Sequence, residues 1–109
     1  MGMELNRFDV LLINLDPTLG SEIKKTRPCV VISPNEMNHY LNTIIVAPMT
    51  STIKHYPTRI DLEFDHKKGS IVLDQIRTID RVRVVKKLGQ LDKKIQTKVI
   101  NVLLEMFDE

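Results

Sequence analysis

The sequence predicts a mainly β fold with a minor helical part: a small, strongly curved barrel closed by one C-terminal helix. Three observations point there. Short, β-branched apolar segments recur along most of the chain, one of them alternates cleanly, and the period turns helical only in the tail. The 109 residues suit one domain, 1–109, and 42% hydrophobic with 28% charged residues is a globular balance.

The elements follow in order. Phe8–Leu15, Pro28–Ser33 and Thr43–Met49 are apolar and β-branched, as expected of strands buried on at least one side. A short helix is expected over Asn35–Leu41. Thr58–Phe64 sets Ile60, Leu62 and Phe64 on one face and Arg59, Asp61 and Glu63 on the other, the pattern of a half-exposed strand. Gly69 is expected to break the chain before a strand at Ser70–Ile76, and Val82–Val85 and Lys87–Leu91 supply two further extended segments. In the tail, Ile95, Val99, Val102, Leu103 and Met106 fall at helical spacing, which predicts an amphipathic helix over 93–107 with Asp92 as N-cap.

Composition removes several classes of function. No apolar run approaches the roughly 20 residues that span a bilayer. MGMELNRFDV lacks the basic and then apolar segments of a secretory signal, so a soluble, cytoplasmic protein without membrane contact is expected. The single cysteine, Cys29, permits neither an internal disulfide nor a multi-cysteine zinc site, and it heads an apolar strand. The net charge is only +2, but it is unevenly spread. Residues 67–98 hold ten Lys or Arg against three Asp, while 61–66 and 99–109 each contribute −3. One face of such a chain can attract a polyanion although the whole is nearly neutral.

The connection LDPTLGSEIKKTRP, Leu15 to Pro28, stands out. Hairpin loops usually need two to five residues. This one is longer and carries Asp16, Ser21, Glu22, Lys24, Lys25, Thr26 and Arg27, with Pro17 and Gly20 shaping its backbone. It is expected to form a mobile flap.

Metal catalysis has little support: His39, His55 and His66 form no HxH or HxxxH pair, and the row Asp61, Glu63, Asp65 is the one acidic cluster. There is no GxSxG elbow and no P-loop. What remains is dispersed: Glu22 and Arg27, Thr50 and Ser51 after a strand, and Asp74, Gln75 and Arg77 in LDQIRTID. A metal-free RNA cleaver uses such parts. The substrate's 2′-OH is the nucleophile, and the protein assists its deprotonation, stabilises charge on phosphate oxygens and protonates the departing 5′ oxygen. An arginine fork suits phosphate, a threonine hydroxyl adds a hydrogen bond, and a buried carboxylate can act as base. Each residue also has a structural alternative: Arg27 as a strand-edge cap or partner of Glu22, Thr50 and Ser51 as turn residues, Asp74 and Arg77 as an ion pair. Tyr56, beside Lys54 and His55, is suited to stacking on a base or to packing.

In combination these runs are more specific. LDPT-x-GSE, then TRP before an apolar strand and SP, then APMTS, LDQIRTID and LGQL before a helix resemble the MazF/PemK family of toxins, over about Arg7 to Leu104. The resemblance implies an SH3-like barrel of the CcdB and plasmid-maintenance toxin type with a C-terminal helix. It implies a homodimeric, sequence-specific, metal-independent endoribonuclease that needs no cofactor. Such a toxin cuts single-stranded RNA, usually mRNA, to 2′,3′-cyclic phosphate and 5′-hydroxyl ends and arrests growth. It also implies a cognate antitoxin whose acidic C-terminal segment lies along the RNA groove.

By position, the resemblance makes Arg27 the acid and phosphate stabiliser and Thr50 its partner, with Glu22 and Asp74 as further catalytic candidates. Ser21, Lys24, Lys25, Ser51, Lys54, Tyr56, Gln75 and Arg77 are the expected RNA-binding residues, and specificity is expected in loops 16–26 and 51–58. Ser21 stands where some relatives carry histidine, and Val72 where some carry arginine. Both departures favour a mechanism built on Arg27 and Thr50. The rival readings are a gyrase poison like CcdB or a non-catalytic interaction module on the same fold. CcdB proteins depend on a Trp-Gly-Ile ending, whereas this chain has no Trp and finishes Glu105-Met106-Phe107-Asp108-Glu109.

Overall fold

A computed structural model describes residues 3–109. Its strands are β1 (Asp9–Asn14), β2 (Thr26–Val31), β3 (Thr43–Thr50), β4 (Arg59–Phe64), β5 (Lys67–Val72), β6 (Arg77–Asp80) and β7 (Val84–Gln90). Helix α1 (Asn35–Tyr40) follows β2, and α2 (Lys93–Met106) ends the fold. All the strand pairs are antiparallel, in the spatial order β4-β5-β3-β2-β1-β7, with β6 also pairing β3. The two ends of that path come together: a Cβ on Gly89 of β7 would sit 3.1 Å from the ring of Phe64 on β4. The sheet therefore curls on itself, as the SH3-like expectation required.

Alternation gives this sheet two buried faces. One presents Val10, Val30, Ala47, Met49, Ile60 and Ile71 to Val99 of α2. The other gathers Leu11, Ile13, Cys29, Val31, Ile44, Val46 and Ile79 with Leu5 and Leu15. Strands covered on both sides read as continuous apolar runs, which is why β1, β2 and β3 were visible in the sequence. Helix α2 starts where expected, with the Asp92 carboxylate accepting the Ile95 N–H at 2.9 Å.

Three local expectations are corrected. The chain reverses at Asp65 and His66, both at positive φ (52° and 63°), not at Gly69. Asp and His enter the left-handed region more readily than most residues, and two such residues close a tight hairpin. Gly69 lies inside β5 for another reason: a Cβ there would stand 2.8 Å from the carbonyl oxygen of Thr50. The strand expected over Ser70–Ile76 stops at Val72. Leu73, Asp74 and Gln75 form a 3-10 turn before β6 resumes along the same edge of β3. Met49 pairs with Ile71 and Val46 with Arg77, so the two residues between these pairs on β3 face five on its neighbour. The excess bulges outward and lifts Asp74 and Gln75 off the sheet. Finally, Val82–Val85 and Lys87–Leu91 are replaced by one strand, β7. Asp80 accepts the Val82 N–H at 2.9 Å and winds Arg81–Arg83 into a 3-10 turn ahead of it.

Candidate active site

Most of the polar residues singled out in the sequence fall into two neighbouring depressions. The first is an open groove of about 550 Å³ where the closing edges approach, lined by Arg27, Thr50, Ser51 and Lys25. The second, of about 590 Å³, is lined by Ser21, Glu22, Asp74, Gln75 and Arg77. Lys24, Lys54 and Tyr56 line neither.

In the groove, strand pairing sets the geometry. Cys29 of β2 faces Pro48 of β3, and Arg27 and Thr50 each stand two residues further toward the same end of the antiparallel pair. Arg27 Nε donates to the Lys24 carbonyl at 2.7 Å, which fixes the guanidinium plane. Among the described residues Nη1 and Nη2 have no hydrogen-bond partner, so the outer fork is available to an anion. The Thr50 hydroxyl accepts the Thr52 N–H at 3.2 Å. Its own proton is left to donate. Lys25, Lys67, Lys68 and Lys86 surround the pair, and Phe64 and Leu88 add an apolar floor. Of these, only Lys25 was expected from the sequence as a site residue. The signal for Lys67 and Lys68 was present in the locally basic segment; Lys86 and Phe64 arrive only through curling of the sheet.

Four other cations of that basic segment are spent on the fold. Arg77 donates to the Leu15 carbonyl at 3.0 Å, Arg81 to the Asn38 carbonyl at 2.7 Å, and Arg83 to the Asn14 carbonyl at 3.2 Å. Lys87 pairs at 3.1 Å with Asp9, which is buried. Position, rather than the count of lysines and arginines, decides where a polyanion is attracted.

In the second depression almost every polar group is already satisfied by the protein. Asp74 does not pair with Arg77. Its carboxylate receives the Arg59 fork at 3.2 and 3.3 Å and the Thr58 hydroxyl at 3.0 Å. Partial burial pushes its pKa up, but the bonds from Arg59 and Thr58 outweigh that and hold it below the usual carboxylate value. A carboxylate so held is a weak base. Arg59 also stacks over the Tyr56 ring, 4.9 Å from its centre, so Tyr56 is a packing partner. Glu22 accepts the Leu19 N–H at 2.6 Å and makes no pair with Arg27. Gln75 accepts the Ile23 N–H at 2.7 Å and donates to the Ser21 carbonyl at 3.3 Å. With Arg77 on Leu15 and Arg83 on Asn14, these bonds tie down the 15–28 connection at its base and on the Ser21–Ile23 side. Leu19 is left exposed near the tip.

Cys29 lies under both sites. Burial pushes its thiol up to about 12, with only partial relief from Arg77 and Arg27, so it is an inert core residue. Among the described residues no three His, Cys, Asp or Glu side chains gather to hold a metal ion, and His55 and Asp61 merely approach at 3.8 Å on the surface.

Comparison with known proteins adds the decisive finding. The family model described as PemK-like, MazF-like toxin of type II toxin–antitoxin system matches residues 6–107. The chain belongs to this family. The protein named Endoribonuclease MazF from Staphylococcus saprophyticus is 37% identical over 105 residues, which cover 91% of this chain and 88% of that protein. The fold agrees with that of family members of known structure. MazF from Deinococcus radiodurans superposes with a TM-score of 0.87 at 24% identity, over 99% of this chain and 100% of that one. An endoribonuclease from a mycobacterial species, solved in complex with its cognate antitoxin, gives 0.79 at 19% identity over 93% and 92%. Among the described residues no helix is long and apolar enough to cross a membrane.

Proposed function

We propose that this family member is the endoribonuclease toxin of a toxin–antitoxin pair and that the groove around Arg27 and Thr50 is where it cuts single-stranded RNA. The observation that carries this reading is the pairing of a half-used arginine fork with an oriented threonine hydroxyl inside a ring of four lysines. The lysines track the phosphate backbone. Arg27 and Thr50 meet the scissile phosphate.

The chemistry follows from those groups. The 2′-hydroxyl gives up its proton to solvent as its oxygen attacks phosphorus, the bond to the 5′ oxygen breaks, and that oxygen takes a proton from solvent, leaving a 2′,3′-cyclic phosphate and a 5′-hydroxyl. Charge grows on the non-bridging oxygens as five-coordinate phosphorus forms. Arg27 Nη1 and Nη2 supply donors and fixed positive charge there, and Thr50 adds a neutral donor. The planar Arg27 fork is matched to phosphate oxygens, and its role in this reading is to stabilise their charge. Asp74 and Glu22, whose carboxylates are engaged within the protein, act on the shape of the neighbouring pocket. Ser51 and Lys25 flank the phosphate path.

The same cationic groove suits an acidic antitoxin segment, which would block RNA by occupying it. The protein would act in the cytoplasm as a homodimer. Incubation of the purified protein with single-stranded RNA in EDTA, followed by mapping of fragment ends, tests this reading. Cyclic phosphate and 5′-hydroxyl ends are expected; 3′-hydroxyl ends, or loss of cutting on chelation, would contradict it.

A further inference from the structure

We propose that Gln75 is the positioning residue that sets the register of the 15–28 connection over the groove, and through it which RNA sequences are cut. The inference rests on the endoribonuclease reading for its second half only.

The connection crosses from β1 to β2 with few internal bonds. Leu15 N donates to the Lys25 carbonyl at 3.1 Å and closes the base, and Glu22 N to the Leu19 carbonyl at 3.1 Å turns the tip. Arg27 Nε holds the Lys24 carbonyl at 2.7 Å at the β2 end, and none of these bonds fixes where Ser21–Ile23 sit relative to the sheet. Gln75 does so from 52 residues away in sequence. Its Oε1 takes the Ile23 N–H at 2.7 Å and its Nε2 reaches the Ser21 carbonyl at 3.3 Å. A primary amide offering an acceptor and a donor in one plane can bind two backbone groups of the loop at once. Glu22 lies between the two residues so held.

The amide is itself immobilised. Gln75 ends the 3-10 turn that bulges from the β5–β6 edge, and its neighbour Asp74 is bound by Arg59 and Thr58. Arg59 in turn is mostly buried, its side chain 12% exposed, and stacks on Tyr56. The position of the loop is thus transmitted from β4 through Asp74 and Gln75. The two bonds engage one acceptor site and one donor of the Gln75 amide and set its orientation against the loop. Its influence on sequence choice acts through Ser21, Glu22 and Ile23.

Amide exchange at Ile23 reads the latch directly, because that N–H is the one Gln75 accepts. Gln75→Ala removes both bonds, and exchange at Ile23 is expected to speed up about tenfold, the loss of one ordinary hydrogen bond. Gln75→Glu keeps the acceptor but loses the donor to Ser21, so Ile23 stays protected. RNA-end mapping supplies the functional half. Gln75→Ala is expected to cut at additional sequences with a raised KM, while kcat at the preferred site changes far less. Unchanged Ile23 exchange in Gln75→Ala overturns the latch. Faster exchange with an unaltered set of cut sites overturns the role in specificity. A wild-type protein that cuts no RNA defeats the endoribonuclease reading instead, and Ile23 exchange in the two variants still decides the latch. If Gln75→Ala fails to fold, Gln75→Asn, one methylene too short to span both groups, takes its place with the same expected and overturning results.

Discussion

The two depressions differ in how much of their polar chemistry the protein keeps for itself. Around Arg27 and Thr50 the outer guanidinium nitrogens and the hydroxyl proton are unclaimed, four lysines face one open space, and the backbone beneath is strand. Around Asp74 and Gln75 the same kinds of group are bonded to one another or to the loop. A site that is to act on a ligand leaves its donors free, whereas a site that shapes a neighbour uses them up. Under the proposed reading, proximity to conspicuous residues is a poor guide to catalysis: Asp74, Gln75 and Glu22 look as reactive in sequence as Arg27, and that reading gives them different work.

This contrast can be broken experimentally, beginning with the largest effect apart from Arg27 itself. Thr50→Val keeps the shape and removes the donor; kcat should fall about 100-fold, the usual scale for one donor aimed at developing charge, with melting temperature nearly unchanged. A loss of only twofold would move the reaction elsewhere. Replacing Lys67, Lys68 and Lys86 together by Ala should weaken RNA binding and flatten its salt dependence by about 2 in log–log slope, since each single-strand phosphate contact contributes about 0.7. An unchanged slope would mean that RNA takes another path.

Gly69→Ala sharpens the comparison from the backbone side. Its new Cβ would meet the Thr50 carbonyl oxygen at 2.8 Å, so β3 or β5 must shift, at a cost of about 1–3 kcal/mol. Activity should fall further than stability accounts for, which kinetics and thermal melting on one preparation would reveal. Asp74→Asn should be milder, lowering stability by about 1 kcal/mol at neutral pH. Because the folded-state pKa of Asp74 is lowered, its stabilisation is present above the ordinary carboxylate value near 3.8 and is lost as pH falls through the folded value. The wild-type and Asp74→Asn melting temperatures should accordingly converge below about pH 4. A rate loss exceeding that of Thr50→Val would return Asp74 to the catalytic group. The smallest effect concerns Cys29: with its thiol raised from 9.0 to about 12, the folded protein should resist alkylation at pH 8 and react once unfolded.

Much of the barrel could be read from the chain because its strands are covered on both faces, which leaves long apolar runs in β1, β2 and β3. The C-terminal helix and its Asp92 cap were equally plain. The departures arose where backbone geometry overrode residue type. Gly69 looked like a turn but serves a close approach between strands, and the bulge at Leu73–Gln75 has no signature in composition. Arg27 and Thr50 could be picked out because they adjoin recognisable strands and family motifs. The partners of Asp74 could not, since Arg59 lies 15 residues away and meets it only after β4 and β5 fold into a hairpin. The groove's lysines were legible as a charge excess but not as a location.

Arg27 carries the central claim. Single-turnover cleavage of a defined RNA in EDTA should slow by at least about 10³-fold in Arg27→Ala, beyond the loss from one neutral donor, because two charged donors disappear at once. The circular dichroism and melting temperature should stay close to wild type, since among the described residues the guanidinium holds only the Lys24 carbonyl. A folded Arg27→Ala protein that cleaves at the wild-type rate would contradict the account.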